Sequence, residues 1–265
     1  ALWEEWQSIE KLKQKKSELE SINRVSVFYR EYMCEVVGDE DQLFREDYIN
    51  YYEGKVHYNE EGNAILKLSY INHSDTNESR PVNVFMGVDH ASSTRQTADY
   101  STIVSVAVDN EGNRFVLPYY RKRATPMALA ESIIEYFKLY KPEKVRIESV
   151  GYQEMLREYV KVRCDEKNIF IPGLEIKENP RNSKSSRLET MEPYFAQGKF
   201  YMQKNMMELK DELLLYPRGK HDDLLDGLFY ATKKVYKPFH NSTIKKMPES
   251  ESNYTKDKDS SWLLA

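Results

Sequence analysis

Acidic residues stand at the margins of three apolar runs that lie far apart in the chain. Val84-Phe85-Met86-Gly87-Val88 ends in Asp89, and Lys144-Val145-Arg146-Ile147 ends in Glu148. The segment His221-Asp222-Asp223-Leu224-Leu225-Asp226-Gly227-Leu228 opens a third run with paired aspartates and adds another one turn later. Carboxylates gathered from three elements repel one another, so something positive must hold them. Mg²⁺ or Mn²⁺ suits the task, because hard cations take oxygen ligands and often few of them from protein. Two such ions about 4 Å apart clamp a scissile phosphate, one generating hydroxide and the other stabilising the leaving oxygen. The expected chemistry is metal-assisted phosphoryl chemistry.

Each acid alone has a plainer explanation. Asp89 suits a strand-end turn, Glu148 a helix N-terminus, and Asp222 or Asp223 an N-cap. Their joint occurrence favours one metal site over three accidents. On a helix, residues 222 and 226 differ by about 40° and residues 223 and 226 by about 60°, so either pair can aim at one spot. His221 is read as a supporting donor or local base, or else as a lone exposed histidine. Asp99 reads as a loop residue that starts the next strand.

The elements that must position these groups are set by pattern. Residues 1–24 read as one helix, with Trp3, Trp6, Ile9, Leu12 and Leu19 near helical spacing. Residues 25–36 are a second apolar piece, read as helical, and residues 43–60 carry aromatic residues with weak periodicity. A strand is expected at 64–71, then a polar loop at 72–81. Strands follow at 82–89, 102–108 and 114–120, the last two joined as a hairpin through Asp109-Asn110-Glu111-Gly112-Asn113. A helix at 126–140 opens with Thr125-Pro126. Then come a strand at 144–148, a helix at 151–167, a strand at 169–176, a basic loop and a helix at 187–198. A short strand at 199–203 and helices at 205–215 and 222–236 complete the order. The fold class expected is α/β: a mixed sheet, antiparallel meander first and parallel strands after, with helices on both faces. A connector is expected over 1–81, the main domain over 82–237 and a flexible polar tail over 238–265.

Composition narrows the classes. The chain has 265 residues, 40% hydrophobic and 31% charged, with twenty tyrosines and a net charge of −4. That balance argues against a uniformly basic nucleic-acid binder but allows a local basic groove. Cys34 and Cys164 show no metal or disulfide spacing, as expected of reduced thiols in a cytosolic protein. No apolar run approaches the length of a membrane span, and no phosphate-binding Gly-x-x-x-x-Gly-Lys-Ser/Thr loop occurs.

These residues resemble the RNase H-like nuclease superfamily and, more narrowly, the nuclease domain of the large terminase subunit of tailed bacteriophages. The likeness rests on Gly87-Val88-Asp89-His90-Ala91 with Asp99-Tyr100-Ser101, on Ile147-Glu148-Ser149, on Lys184 to Pro193 with Phe195 and Gly198, and on the segment from His221 to Leu228. Residues 28–52 are similar to the segment joining a terminase ATPase to its nuclease. The resemblance implies a two-metal endonuclease cutting concatemeric double-stranded viral DNA during packaging in the host cell cytoplasm. It implies Asp89, Glu148, Asp222 and Asp223 as catalytic metal ligands, Asp223 foremost of the pair, with Asp226 and His221 supporting. It also implies the portal protein, the small terminase subunit and an ATPase domain of the same full-length protein as partners. The missing initial Met is expected of an excised C-terminal domain.

DNA would be held through its phosphates. The candidate cations are Arg121, Lys122 and Arg123 after the hairpin, and Lys177, Arg181, Lys184 and Arg187 before a helix, the latter interleaved with Asn and Ser. Two other readings remain open on the sequence: a Holliday-junction resolvase or transposase-like nuclease, and a non-catalytic module docking to the portal of a packaging motor.

Overall fold

The computed structural model describes residues 8–21, 28, 31–33, 43–91, 100–148, 153–174 and 183–238. Its strands are β1 (Asn50–Tyr58), β2 (Ala64–Ile71), β3 (Ser74–Asp89), β4 (Ser101–Asp109), β5 (Arg114–Val116), β6 (Tyr120–Lys122), β7 (Lys144–Ile147) and β8 (Phe200–Met202). Its helices are α1 (Ile9–Ser21), α2 (Pro126–Tyr140), α3 (Gln153–Glu166), α4 (Lys184–Glu189), α5 (Glu192–Ala196), α6 (Met207–Leu215) and α7 (Asp223–Thr232).

β3 organises the sheet. Its second half pairs antiparallel with β4, from Val82 opposite Asp109 to Asp89 opposite Thr102. On its other edge it pairs parallel with β7, from Phe85 opposite Lys144 to Val88 opposite Ile147. Its first half pairs antiparallel with β2. β2 pairs with β1, β1 runs parallel to β8, β8 runs parallel to β5, and β5 returns to β4. The pairings thus close a circuit back onto β3. The meander β3-β4-β5 followed by parallel strands is the mixed sheet expected from the sequence.

Alternation along β3 and its neighbours sorts the core into layers. Phe85, Val104, Val106 and Val108 face α4 to α7, where Leu188, Phe195, Leu209, Leu224 and Leu228 cover them. Met86, Val88, Ile103, Val145 and Ile147 face the other way, onto Leu129 and Ile133 of α2 and Leu156 and Val160 of α3. Tyr52, Leu66, Leu68, Val82, Val84 and Phe115 fill the curl of the sheet. β4 lies between these layers and is buried at every position. α2 starts as its sequence demands, with the Thr125 side chain capping the N–H of Ala128 ahead of Pro126.

Four expectations are corrected. Residues 72–81 are not a loop: only Asn72 and His73 turn, with φ of 42° and 70°, and β3 begins at Ser74. That half-strand buries none of its residues and is held by its backbone ladder to β2, so polar composition disguises it. The division at residue 81 falls inside β3, and residues 50–81 belong to the same sheet as β4 and β7. Within the described part of 169–176 no strand forms. Pro172 supplies a carbonyl to the Val145 N–H, and Gly173 takes a φ of 87° that a ladder would not. The helix expected at 187–198 is two short ones, α4 and α5, which break at Thr190-Met191 just before Pro193. Trp3, Trp6, Cys34, Asp99, Lys177, Arg181 and the tail beyond Pro238 lie outside the described residues.

Candidate active site

Two glycines bring the acids together. A Cβ on Gly87 would stand 2.1 Å from the Gly227 carbonyl oxygen and 2.3 Å from the Ala231 nitrogen, so α7 lies backbone to backbone on β3. A Cβ on Gly227 would stand 2.7 Å from Thr102 Oγ1, so no other residue lets the helix approach β4. Leu224, Leu225 and Leu228 anchor α7 in the core. Its first turn then rests against the end of β3, where Asp89 points to the same face as Gly87. The Glu148 N–H bonds the Val88 carbonyl, which sets Glu148 beside Asp89.

Asp89, Glu148, Asp223 and Asp226 share one electrostatic environment. Burial drives the Asp89 carboxyl well above its ordinary range, and the charges of Asp226 and Glu148, a hydrogen bond with Glu148 and the charge of Asp223 push the same way. Asp223 and Asp226 are only 5% and 6% exposed. Burial raises Asp226 too, against the pull of Lys184 and Arg187. Asp222 is different. It occupies the N-cap of α7 without capping it, and its half-exposed carboxylate reaches Lys184. Adjacency in the sequence favours Asp222 over Asp226, whereas Asp226 is the strongest charge partner of Asp89.

The cations complete the cluster. Lys184 Nζ lies 2.6 Å from Asp222 Oδ1 and 2.5 Å from Asp226 Oδ2. Arg187, one turn along α4, lies 3.6 Å from Glu148 Oε1 and 3.5 Å from Asp226 Oδ1, and donates to the Tyr230 hydroxyl at 2.9 Å. The sequence leads one to expect both facing DNA; both turn inward onto the carboxylates. Arg121 is also packed inside, 3.2 Å from Glu212 and stacked 3.9 Å over the Tyr100 ring. Lys122 and Arg123 remain exposed. His221 sits beside the cluster, with Nδ1 3.8 Å from Asp223 Oδ2.

Sequence reasoning misses Tyr100, Thr102 and Glu212. The Tyr100 N–H donates to Asp223 Oδ2 at 3.2 Å, and the Thr102 hydroxyl donates to the Asp223 carbonyl at 3.0 Å. Glu212 accepts from the Leu224 N–H at 2.8 Å. Burial pushes its carboxyl up to about 8 against the pull of Arg121. Its spacing from Leu209 and Leu213 is the signal that could have found it, since it sets an acid on the apolar stripe of α6.

Among the described residues, no group of three or more His, Cys, Asp or Glu side chains already surrounds a single ion position. Lys184 and Arg187 engage the carboxylate oxygens instead. The donor set is all carboxylate oxygen, which is the chemistry a hard divalent cation accepts.

The sequence profile of the terminase RNaseH-like domain matches residues 86–234. No curated protein matches the chain in sequence. Among solved structures, the large terminase nuclease from thermophilic phage G20c with bound magnesium is similar at 16% identity and a TM-score of 0.46, covering 72% of this chain and 95% of that one. The P22 large terminase nuclease domain is similar at 15% identity and a TM-score of 0.43, covering 56% and 79%. The human cytomegalovirus terminase nuclease domain, manganese-soaked with inhibitor bound, is similar at 15% and 0.43, covering 57% and 81%.

Proposed function

The chain belongs to the terminase RNase H-like domain family, and from that premise we propose that it is a divalent-metal-dependent endonuclease cutting concatemeric double-stranded viral DNA during packaging. The observation that carries this reading is the crowding of Asp89, Glu148, Asp223 and Asp226 at one point of the fold, the last two buried. Folding has spent stability to crowd like charges at the end of a sheet, which a purely structural site does not need. Asp89, Glu148, Asp223 and Asp226 are the residues that would hold Mg²⁺ or Mn²⁺, with Asp222 at the rim. Two such ions, when bound, supply Lewis acidity at the scissile phosphate.

The protein's own residues do the rest. Asp89, whose carboxyl is raised in the metal-free protein, would have to be ionised to hold a divalent cation. Lys184 and Arg187 pair with these carboxylates and would be the site's own cations for a DNA phosphate. Exposed Lys122 and Arg123 on the β6 side suit contacts to the DNA backbone rather than to bases. The portal protein, the small terminase subunit and a linked ATPase domain are the proposed partners, and the host cytoplasm the proposed setting. No helix among the described residues is long and apolar enough to cross a membrane. Family membership supports this reading over a junction resolvase or transposase, and the buried carboxylates support it over a non-catalytic docking module.

Supercoiled plasmid incubated with the protein tests the proposal. Nicked and linear products are expected with Mn²⁺ or Mg²⁺ and none with EDTA. Cutting that persists in EDTA, or no cutting with either metal, would overturn it.

A further inference from the structure

Asp223 is held by more than its own helix. Its side chain accepts from the Tyr100 N–H, its carbonyl from Thr102. Arg121 lies opposite Thr102 in the β4–β6 pairing, and its guanidinium stacks on the Tyr100 ring at 3.9 Å, with Arg123 at 4.1 Å. Arg121 is fixed in turn by Glu212, whose other oxygen takes the Leu224 N–H at the start of α7. Asp222, the residue placed to cap that helix, does not do so. Tyr100 also borders a cavity of about 170 Å³ lined by Arg121, Glu212 and His221. Its ring is packed by Arg121 and Arg123 and meets the His221 ring edge-on at 5.3 Å, and these contacts hold in place the residue whose N–H reaches Asp223.

We propose that Glu212 and Arg121 are positioning residues: through Tyr100 and the Leu224 N–H they hold the Asp223 carboxylate in its metal-binding orientation. This rests on the reading of Asp223 as a metal-holding group. Glu212 joins three elements with one carboxylate. It caps α7 from α6, and through Arg121 it ties β6 to the segment that enters β4. An acid this deeply buried is costly unless compensated, and here one oxygen accepts a hydrogen bond from the helix that carries Asp223 while the other, without a hydrogen bond, lies 3.2 Å from the cation that braces its donor.

Mn²⁺ binding to the full chain, followed by the loss of its free-ion electron paramagnetic resonance signal, tests this alongside thermal melting. Glu212→Gln keeps the size and the acceptor for Leu224 but loses the pair with Arg121. It is expected to weaken Mn²⁺ binding about tenfold, in the range typical when a partner that orients a metal ligand is lost. Its melting temperature should stay close to the parent's. Tyr100→Ala is expected to weaken binding similarly although the backbone N–H remains, and Tyr100→Phe, which keeps the ring, to recover what Tyr100→Ala loses. Asp89→Asn separates the two claims. If Asp89→Asn loses Mn²⁺ while Glu212→Gln and Tyr100→Ala bind it as the parent does, the positioning role is wrong and the metal site stands. If the parent binds no Mn²⁺, or Asp89→Asn binds it equally well, the metal site itself is wrong and this role goes with it.

Discussion

At the scale of single residues, the site is a balance between carboxylates that repel and two cations that restrain them. Asp89 sits at the worst point of that balance, half-buried and facing Asp226, Glu148 and Asp223. Asp89→Asn removes a carboxyl whose ionised form the fold disfavours while keeping shape and one acceptor. It should lower Mn²⁺-dependent nicking about a hundredfold or more, since loss of a ligand exceeds the loss of a group that merely orients one. Its melting temperature should rise. A variant that nicks normally, or melts lower, would contradict the balance. Asp89, Glu148 and Asp223 were legible in the sequence because each ends or opens an apolar run, and apolar runs reveal where the core stops. The roles of Lys184, Arg187 and Arg121 were not. A sequence shows that a residue is charged, but the partner that decides whether it faces DNA or a buried acid comes from another element. The depth of Asp226 is hidden for a related reason: adjacency makes Asp222 and Asp223 look like a pair, whereas in the fold Asp226 is buried and Asp222 half-exposed.

At the scale of elements, the site depends on how closely α7 lies on β3 and β4. The approach is set by Gly87 and Gly227, at which a Cβ would meet backbone or a fixed hydroxyl well inside contact distance. Gly87→Ala should push α7 away from the strand, at a cost of about 1–3 kcal/mol or more, as for overpacking elsewhere. Urea unfolding would read the loss, and Mn²⁺ binding should fall with it because Asp223 and Asp226 travel with the helix. Stability within error of the parent would mean that the helix can slide without harm. The run Met86-Gly87-Val88 carries no sign of this, since only the packed helix shows what a methyl would strike. Elements with strong periodicity, such as β4, α2 and α7, were legible. The first half of β3 was not, because a strand stabilised by its ladder alone has no apolar alternation to read. α4 and α5 merged into one expected helix because helical spacing carries across a break that only the backbone records.

At the scale of the whole molecule, a chain with net charge −4 must bind a polyanion through a local surface. Arg123 and Lys220 are exposed at the rim of the cavity where Arg121 and His221 are packed. Changing both to Ala should lower the slope of log K against log salt by about 2, close to one for each phosphate no longer neutralised. An unchanged slope in a filter-binding or anisotropy titration would place the duplex elsewhere. The same acidic centre also sets how the apo protein responds to pH. Asp89, Asp226 and Glu212 have folded-state pKa values raised above their unfolded ones, Glu212 to about 8. A raised carboxyl contributes stability that is full below its unfolded pKa and is lost as pH rises through its folded pKa. His90, lowered by burial, acts oppositely only around and below its ordinary value of about 6.5. Glu78 and Glu131, lowered by their cationic partners, change only at more acidic pH. Between about pH 6.5 and 8 the raised carboxyls therefore dominate, and the apo protein should melt progressively lower across that window. Mn²⁺ should flatten the decline, because an ion held by the carboxylates stabilises their charged forms. A melting temperature that rises with pH in the absence of metal would show that the buried carboxyls are not the groups governing this part of the stability curve.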